Sequence, residues 1–384
     1  MKRKLLIAAL CGLAVLILLV ASGPLLVRLG LLKMVFYIQK DEAGHVRLVY
    51  APVQPASLPA LKPGVAPPVA ADALPVIIDT DMAPDDWMAI LYLLQRPDVD
   101  VRAITVMGTG EAHCGPGVRN ALDLGVLAGR PEIPVACGRQ TPLPGGHTFP
   151  AAWREGVDNL LGLALLRNPN PPAAESAVEL LARSVRESPR RVHLLALGPL
   201  TNVAEALEAD PTFAGNLHMI TIMGGAVSVP GNVHLALDNA NEWAEWNIYA
   251  DPHAAALVFA SGAPITLVPL DATQYAPATL DFYRRLGQDR TTPAAEFIYR
   301  VLTQKESDLR AGWYYFWDAL AAAIVTDESL ATFQEMSLVA IDHEGPQSGR
   351  TAVSGNGHPM RVATFADQAR FEALFLDALN GRAP

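Results

Sequence analysis

The chain has 384 residues, 51% of them apolar, which suffices for one large α/β domain or two medium ones. Its formal net charge of −10 argues against nucleic acid as a partner, since phosphate binding needs a basic surface, and favours a small-molecule substrate. Cys11, Cys114 and Cys137 show neither metal-ligand spacing nor a disulfide framework. A Cys114–Cys137 bridge is compatible with the sequence, but two unpaired buried thiols are the expectation.

At the N-terminus, Lys2, Arg3 and Lys4 precede an uncharged, mostly apolar run from Leu5 to Val27, long enough to cross a bilayer as a helix. The basic cluster predicts an N-in orientation, so the protein is expected to be membrane-anchored with its body outside the cytoplasm, periplasmic or extracellular. A cleaved signal peptide, and hence a secreted form, is the alternative: Ala21, Ser22 and Gly23 are small enough for a cleavage site, but Pro24 is awkward just after it. Residues 1–33 are therefore read as anchor or signal. Residues 34–74 are read as a juxtamembrane segment with a pair of short strands in 34–50, followed by a proline-rich, semi-rigid spacer. The body is expected to begin near residue 75.

From there strands and helices alternate. A strand at Val76–Asp79 leads to a helix at Asp85–Gln95, a strand at Val99–Met107 and a helix at Val118–Ala128. A short strand at Ile133–Ala136, a helix at Ser176–Glu187 and a strand at Val192–Leu197 follow. Helix 200–208, strand 218–223, helix 252–260 and strand 265–269 continue the series. The repetition predicts a single α/β domain with a mostly parallel open sheet flanked by helices. Ligands of such sheets bind outside the carboxyl ends of the strands. The chemically rich residues fall there: Asp79 and Asp81, Thr109 and Glu111, Gly198 to Asn202, Gly224 and Gly225, and Asp271.

The first of these positions is the most informative. An apolar run, Val76-Ile77-Ile78, ends in Asp79, Asp81, Asp85 and Asp86. Proline and negative charge at a helix start explain Pro84, Asp85 and Asp86 but leave Asp79 and Asp81 unexplained. Crowded carboxylates repel unless a cation compensates them, and hard oxygen clusters suit calcium or magnesium.

Further segments join this run: Leu197-Gly198-Pro199-Leu200-Thr201-Asn202, Met223-Gly224-Gly225-Ala226 with Gly231-Asn232, Ala244 to Pro252, and Trp317-Asp318-Ala319-Leu320. In this order, from about residue 75 to the C-terminus, they resemble the nucleoside hydrolase family. The Phe149-Pro150…Trp153-Arg154 pattern and Trp317 resemble its purine-specific inosine-adenosine-guanosine members most. The resemblance implies a calcium-dependent N-glycosyl hydrolase acting on ribonucleosides. Asp81, Asp86, Asp318 and the Leu197 carbonyl would be calcium ligands, and Asp81 also the general base on the attacking water. Asp85, Glu111, Asn232, Glu245 and Asn247 would contact the sugar or water, with Asp79 behind them. Trp317 stands where pyrimidine-accepting relatives carry a histidine acid. Stacking of a purine between Trp317 and Trp153 would replace that acid by raising the base's own affinity for a proton. His147 is read as a surface loop residue. Relatives are often homo-oligomers, which a tethered chain need not form.

The chemistry is consistent without the family. Breaking an N-glycosidic bond passes through an oxocarbenium-like sugar, which carboxylates and amide oxygens stabilise. The bland alternative for Asn232, Glu245 and Asn247 is turn and cap chemistry. A phosphatase of the haloacid-dehalogenase type would also place Asp-x-Asp after its first strand, but it leaves Asp85, Asp86 and the 244–247 segment unexplained. A nucleoside-binding module without turnover is the non-enzymatic reading.

Overall fold

The structure is a computed structural model that describes residues 34–40, 46–52, 61–237 and 241–382. The N-terminal apolar run lies outside the described residues; among these, no helix is long and apolar enough to cross a membrane. Strands β1 (Met34–Lys40) and β2 (Val46–Pro52) form an antiparallel pair, with Met34 opposite Pro52, as a unit of their own.

The larger unit is built on a nine-stranded sheet in the order β10-β9-β11-β8-β7-β6-β3-β4-β5. Its strands are β3 (Leu74–Thr80), β4 (Val99–Val106), β5 (Val135–Cys137), β6 (Val192–Ala196), β7 (Leu217–Met223), β8 (Ile265–Val268), β9 (Ala331–Ala340), β10 (Thr351–Val353) and β11 (His358–Ala366). The run from β11 through β8 to β5 is parallel, whereas β9 pairs antiparallel with both β10 and β11. The sheet is therefore mixed, and its antiparallel edge is the part the sequence reading did not anticipate.

Strand β3 shows why a continuous apolar run suits the middle of such a sheet. Side chains alternate between faces along a strand. Val76 and Ile78 accordingly join one buried cluster, with the helices Pro84–Leu94 and Trp317–Thr326, while Ile77 joins a second, with Ala177–Glu187 and Thr201–Ala209. Every residue of Pro84–Leu94 is buried, so it is a core helix. It packs on Trp317–Thr326, whose small residues Ala319, Ala321, Ala322 and Ala323 let the two approach.

Two expectations change. Cys114 and Cys137 are joined, not free: the first turn of helix Cys114–Ala128 lies beside the end of β5, with the Cα atoms 5.7 Å apart, inside disulfide range. No spacing pattern announces this pairing, because tertiary packing creates it. The second half of the spacer is not separate from the body either. Gly64 N–H donates to the Leu127 carbonyl (2.9 Å), Ala70 N–H to Pro97 (2.8 Å) and Leu74 N–H to Asp98 (2.8 Å).

Candidate active site

The chain lays down β3, β4 and β5 in one direction, then crosses back to place β6 on the other side of β3. At such a reversal the loops leaving two neighbouring strands diverge and open a crevice. Asp81 leaves β3 and Leu197 leaves β6, on either side of this switch point. The Leu197 N–H donates to the Asp79 carbonyl (2.8 Å), which prolongs the strand pairing up to the crevice.

The acidic loop is tightly held. Met82 is buried and adopts φ 63°, a left-handed conformation that costs a non-glycine residue about 1–3 kcal/mol. Its N–H donates to Thr80 Oγ1 (2.9 Å), and Thr80 Oγ1 in turn donates to Asp86. Asp81 Oδ1 accepts from Ala83 N–H (3.2 Å) and Oδ2 from Glu111 N–H (3.1 Å). Gly110 and Gly198 pack against this side chain: a Cβ on either would lie 2.0 or 2.7 Å from the Asp81 Cβ. Behind them, Asp79 accepts from Thr105 Oγ1 (2.6 Å) and Asn202 Nδ2 (2.8 Å), which agrees with a supporting role; burial pushes its carboxyl up to about 7.

Two helix N-termini meet here, one bearing Asp85 and Asp86, the other Asp318. Both present the positive ends of their dipoles to these carboxylates. Asp85, Asp86 and Asp318 each bring an oxygen within 4.8 Å of the others. The carboxyls touch in pairs: Asp81 with Asp86, Asp86 with Asp318, and Asp85 with Asp318. Burial pushes Asp85 up to about 7, with the Asp81 charge adding to it. Burial also raises Asp81, and it carries Asp86, Asp318 and Glu111 well above the carboxylate range, reinforced by their acidic neighbours. Carboxylates come this close only with a proton or a cation between them. Asp86 Oδ2 and Asp318 Oδ1 are buried without a hydrogen-bond partner. An all-oxygen set with orphaned oxygens fits a hard divalent cation and suits zinc poorly. The Leu197 carbonyl borders the same cavity and already accepts from Asn247 Nδ2 (3.2 Å), which leaves it one lone pair.

This cavity, of about 390 Å³, is large enough for a small-molecule ligand. Every residue that the sequence assigned to metal, sugar, water or base lines it: Asp81, Asp85, Asp86, Glu111, Trp153, Leu197, Asn232, Glu245, Asn247, Trp317 and Asp318. Thr109, which follows the same strand as Glu111, instead meets Thr201 in the interior (3.0 Å). Glu245 does the work of a cap as well. It accepts from Asn247 N–H (3.0 Å), Ile248 N–H (3.4 Å) and Gly225 N–H (2.8 Å), and burial pushes it up to about 7. Asn232 Oδ1 accepts from Trp246 N–H (3.2 Å), and Asn247 Nδ2 also donates to the Met223 carbonyl (3.1 Å). His147 is stacked on Tyr249 with ring centroids 3.9 Å apart and does not reach the cavity.

Sequence reading missed three participants. Arg154 Nη2 donates to the carbonyls of Gly108 (2.8 Å) and Ala112 (3.1 Å), bracing the loop that carries Glu111. Tyr314 packs edge-on to Trp317 (5.5 Å), its buried hydroxyl without a partner, and Lys305 adds a cationic head to the cavity wall. Only the Phe149…Arg154 pattern hinted at the first. The others come from a helix corner and a turn that carry no local signature.

Fold and site together define an α/β protein with a cation-type acidic centre at the switch point of its sheet. The chain belongs to the nucleoside hydrolase family: residues 76–373 match the family model described as inosine-uridine preferring nucleoside hydrolase. The family is metal-dependent, in keeping with the orphaned carboxylate oxygens. Among similar proteins, Uridine nucleosidase 1 of Arabidopsis thaliana is 40% identical over 212 residues, 55% of this chain and 61% of that protein. Pyrimidine-specific ribonucleoside hydrolase RihA of Salmonella arizonae is 39% identical over 229 residues, 59% of this chain and 70% of that one. The solved Purine-Preferring Ribonucleoside Hydrolase from Gardnerella vaginalis superposes with a TM-score of 0.70 at 30% identity, covering 80% of this chain and 98% of that chain. The matches to the first curated relatives span about three-fifths of their length. Relatives named for pyrimidines and for purines both occur, so family membership does not select the base.

Proposed function

We propose that this protein hydrolyses the N-glycosidic bond of ribonucleosides, with purine nucleosides preferred, releasing free base and ribose. The observation that carries the reading is a single cavity in which six carboxyls (Asp81, Asp85, Asp86, Glu111, Glu245 and Asp318) face a wall that includes Trp153, Trp313, Tyr314 and Trp317. Asp86, Asp318, Asp85 or Asp81, and the Leu197 carbonyl would hold calcium. Bound there, the ion would polarise the nucleophile and grip the sugar diol. Asp81, fixed by two backbone N–H groups, takes the proton from the attacking water. Asn232, Asn247 and Glu245 orient the sugar, and their oxygens, with those of Asp85 and Glu111, favour the positive charge that develops on the ring. Trp153 and Trp317 stack the base. The purine preference rests on these two rings; among the described residues no histidine lines this cavity, His234 lining instead the neighbouring one that shares Trp313 and Trp317.

The test is release of free base from inosine, adenosine, guanosine, uridine and cytidine by the purified chain, with calcium and after chelation. Faster turnover of the purine nucleosides, lost on chelation and restored by calcium, is expected. Binding of inosine without release of base from any of the five would make the protein a binding module.

We also propose that the catalytic body works outside the cytoplasm. The basic and apolar N-terminus and the Cys114–Cys137 disulfide both suit an oxidising compartment reached by export. Protease shaving of intact cells should digest the body, and full protection would oppose this placement.

A further inference from the structure

Lys305 is the only basic side chain among the described residues that line the cavity, and it shares that lining with six carboxyls. It sits at the corner between helices Pro293–Gln304 and Glu306–Ala311, where φ is −96° and ψ 10°. Its ammonium lies 3.7 Å from Asp308 Oδ2, longer than a hydrogen bond, and 5.6 Å from the centre of the Tyr314 ring. Tyr314 in turn packs on Trp317. Lys305 thus lines the cavity beside its aromatic wall, ion-paired to Asp308 but with no hydrogen bond on its ammonium among the described residues, and its charge still reaches Glu111. An exposed Lys–Asp pair on a helix corner is the bland account. Such pairs contribute little, and it leaves unexplained why the side chain borders the cavity.

The chemistry of the leaving group supplies a use. As the C1′–N bond breaks, the electron pair stays with the base. In hypoxanthine, guanine or uracil that charge spreads onto a carbonyl oxygen. Adenine has no carbonyl oxygen and presents an amino donor instead. Resting on the nucleoside-hydrolase reading, we propose that Lys305 donates a hydrogen bond to the carbonyl oxygen of the departing base and so selects oxo-bases over adenine. The lysine keeps its proton: the water oxygen bonds to C1′, the water proton goes to Asp81, and the released base is protonated from solvent. Stacking on Trp317 favours a cationic base, which an ammonium repels, so the two devices serve different leaving groups.

The test compares the full-length chain with Lys305→Met, in calcium, on inosine, uridine, adenosine and p-nitrophenyl riboside, whose leaving group departs without a proton. A charge-assisted hydrogen bond lost in the transition state should lower kcat/KM about ten- to a hundredfold for the better oxo-nucleoside. Adenosine and p-nitrophenyl riboside should lose several-fold less than the oxo-nucleoside, an unchanged circular-dichroism spectrum and thermal midpoint report that the variant is folded, and Lys305→Arg should recover part of the loss. An unchanged rate on the oxo-nucleoside, or an equal loss on all substrates, would overturn the proposal. If the wild-type chain releases base from no nucleoside, the hydrolase reading itself fails, and that is visible before any variant is compared.

Discussion

Asp81 combines two properties that usually conflict. Burial raises its proton affinity, yet a hydrogen bond with Asp86, two backbone N–H groups and the charge of Arg154 favour its ionised form. A base held between these opposing influences can accept a proton from water and give it up again. Asp81→Asn should therefore lower hydrolysis about 10²- to 10⁴-fold. It should leave the thermal midpoint of the metal-free protein unchanged or higher, because one negative charge leaves a crowded cluster. Activity within tenfold of wild type would remove Asp81 from the mechanism. Trp317 makes a different prediction. If stacking raises the basicity of the base, Trp317→Ala should lower adenosine turnover about tenfold or more, the scale of a cation–π contact. It should affect p-nitrophenyl riboside much less, and equal losses would reduce Trp317 to a shaping role. The acids were legible in the sequence because aspartates directly after an apolar strand have no structural excuse. Lys305 and Tyr314 were not, since nothing local distinguishes a helix-corner lysine that borders a cavity from one that faces water.

At the level of elements, legibility followed burial. Strands β3, β6, β7 and β8 are buried over most of their length and read as largely apolar runs. Strand β9 lies between β10 and β11 on the antiparallel side and carries Thr332, Gln334 and Glu335 among its apolar residues, so it resembles a loop or a frayed helix. The proline-rich segment misled for a related reason. Proline frequency signals an extended chain, but an extended chain can still lie on a body and exchange backbone hydrogen bonds with it. Arg190 donates to the carbonyls of Asp72 (3.0 Å) and Ala73, adding to the bonds made by Gly64, Ala70 and Leu74. A chain beginning at residue 61 should be soluble and as stable as the full body. With the Arg130 bond to the Pro67 carbonyl included, one beginning at residue 75 loses at least six hydrogen bonds, each contributing about 0.5–1.5 kcal/mol, and should melt several degrees lower. Identical melting of the two truncations would show that residues 61–74 merely accompany the fold.

For the whole molecule, the decisive quantity is negative charge concentrated where the sheet reverses direction. Without a cation, Asp79, Asp85 and Glu245 hold their protons up to about pH 7, and burial with neighbouring negative charge keeps those of Asp86, Glu111 and Asp318 well above the usual carboxylate range. In the unfolded chain the same groups ionise near pH 4. The folded state therefore binds more protons across this interval, and its stability falls as pH rises. His193 acts in the opposite sense. Burial lowers its imidazole to about 3, so its contribution to stability grows with pH until the unfolded histidine is neutral, above about 6.5. From pH 6.5 to 8 the histidine contribution dies away and the several carboxyls dominate. In chelator, the thermal midpoint should fall across that window, each group still protonated in the folded state contributing about 1.4 kcal/mol per pH unit. Calcium takes the place of those protons at the proposed ligands, so saturating calcium should raise the midpoint and flatten most of the fall. A midpoint that stays level or climbs from pH 6.5 to 8 in chelator, or a fall that calcium leaves untouched, would mean that these carboxyls are compensated by something other than a cation.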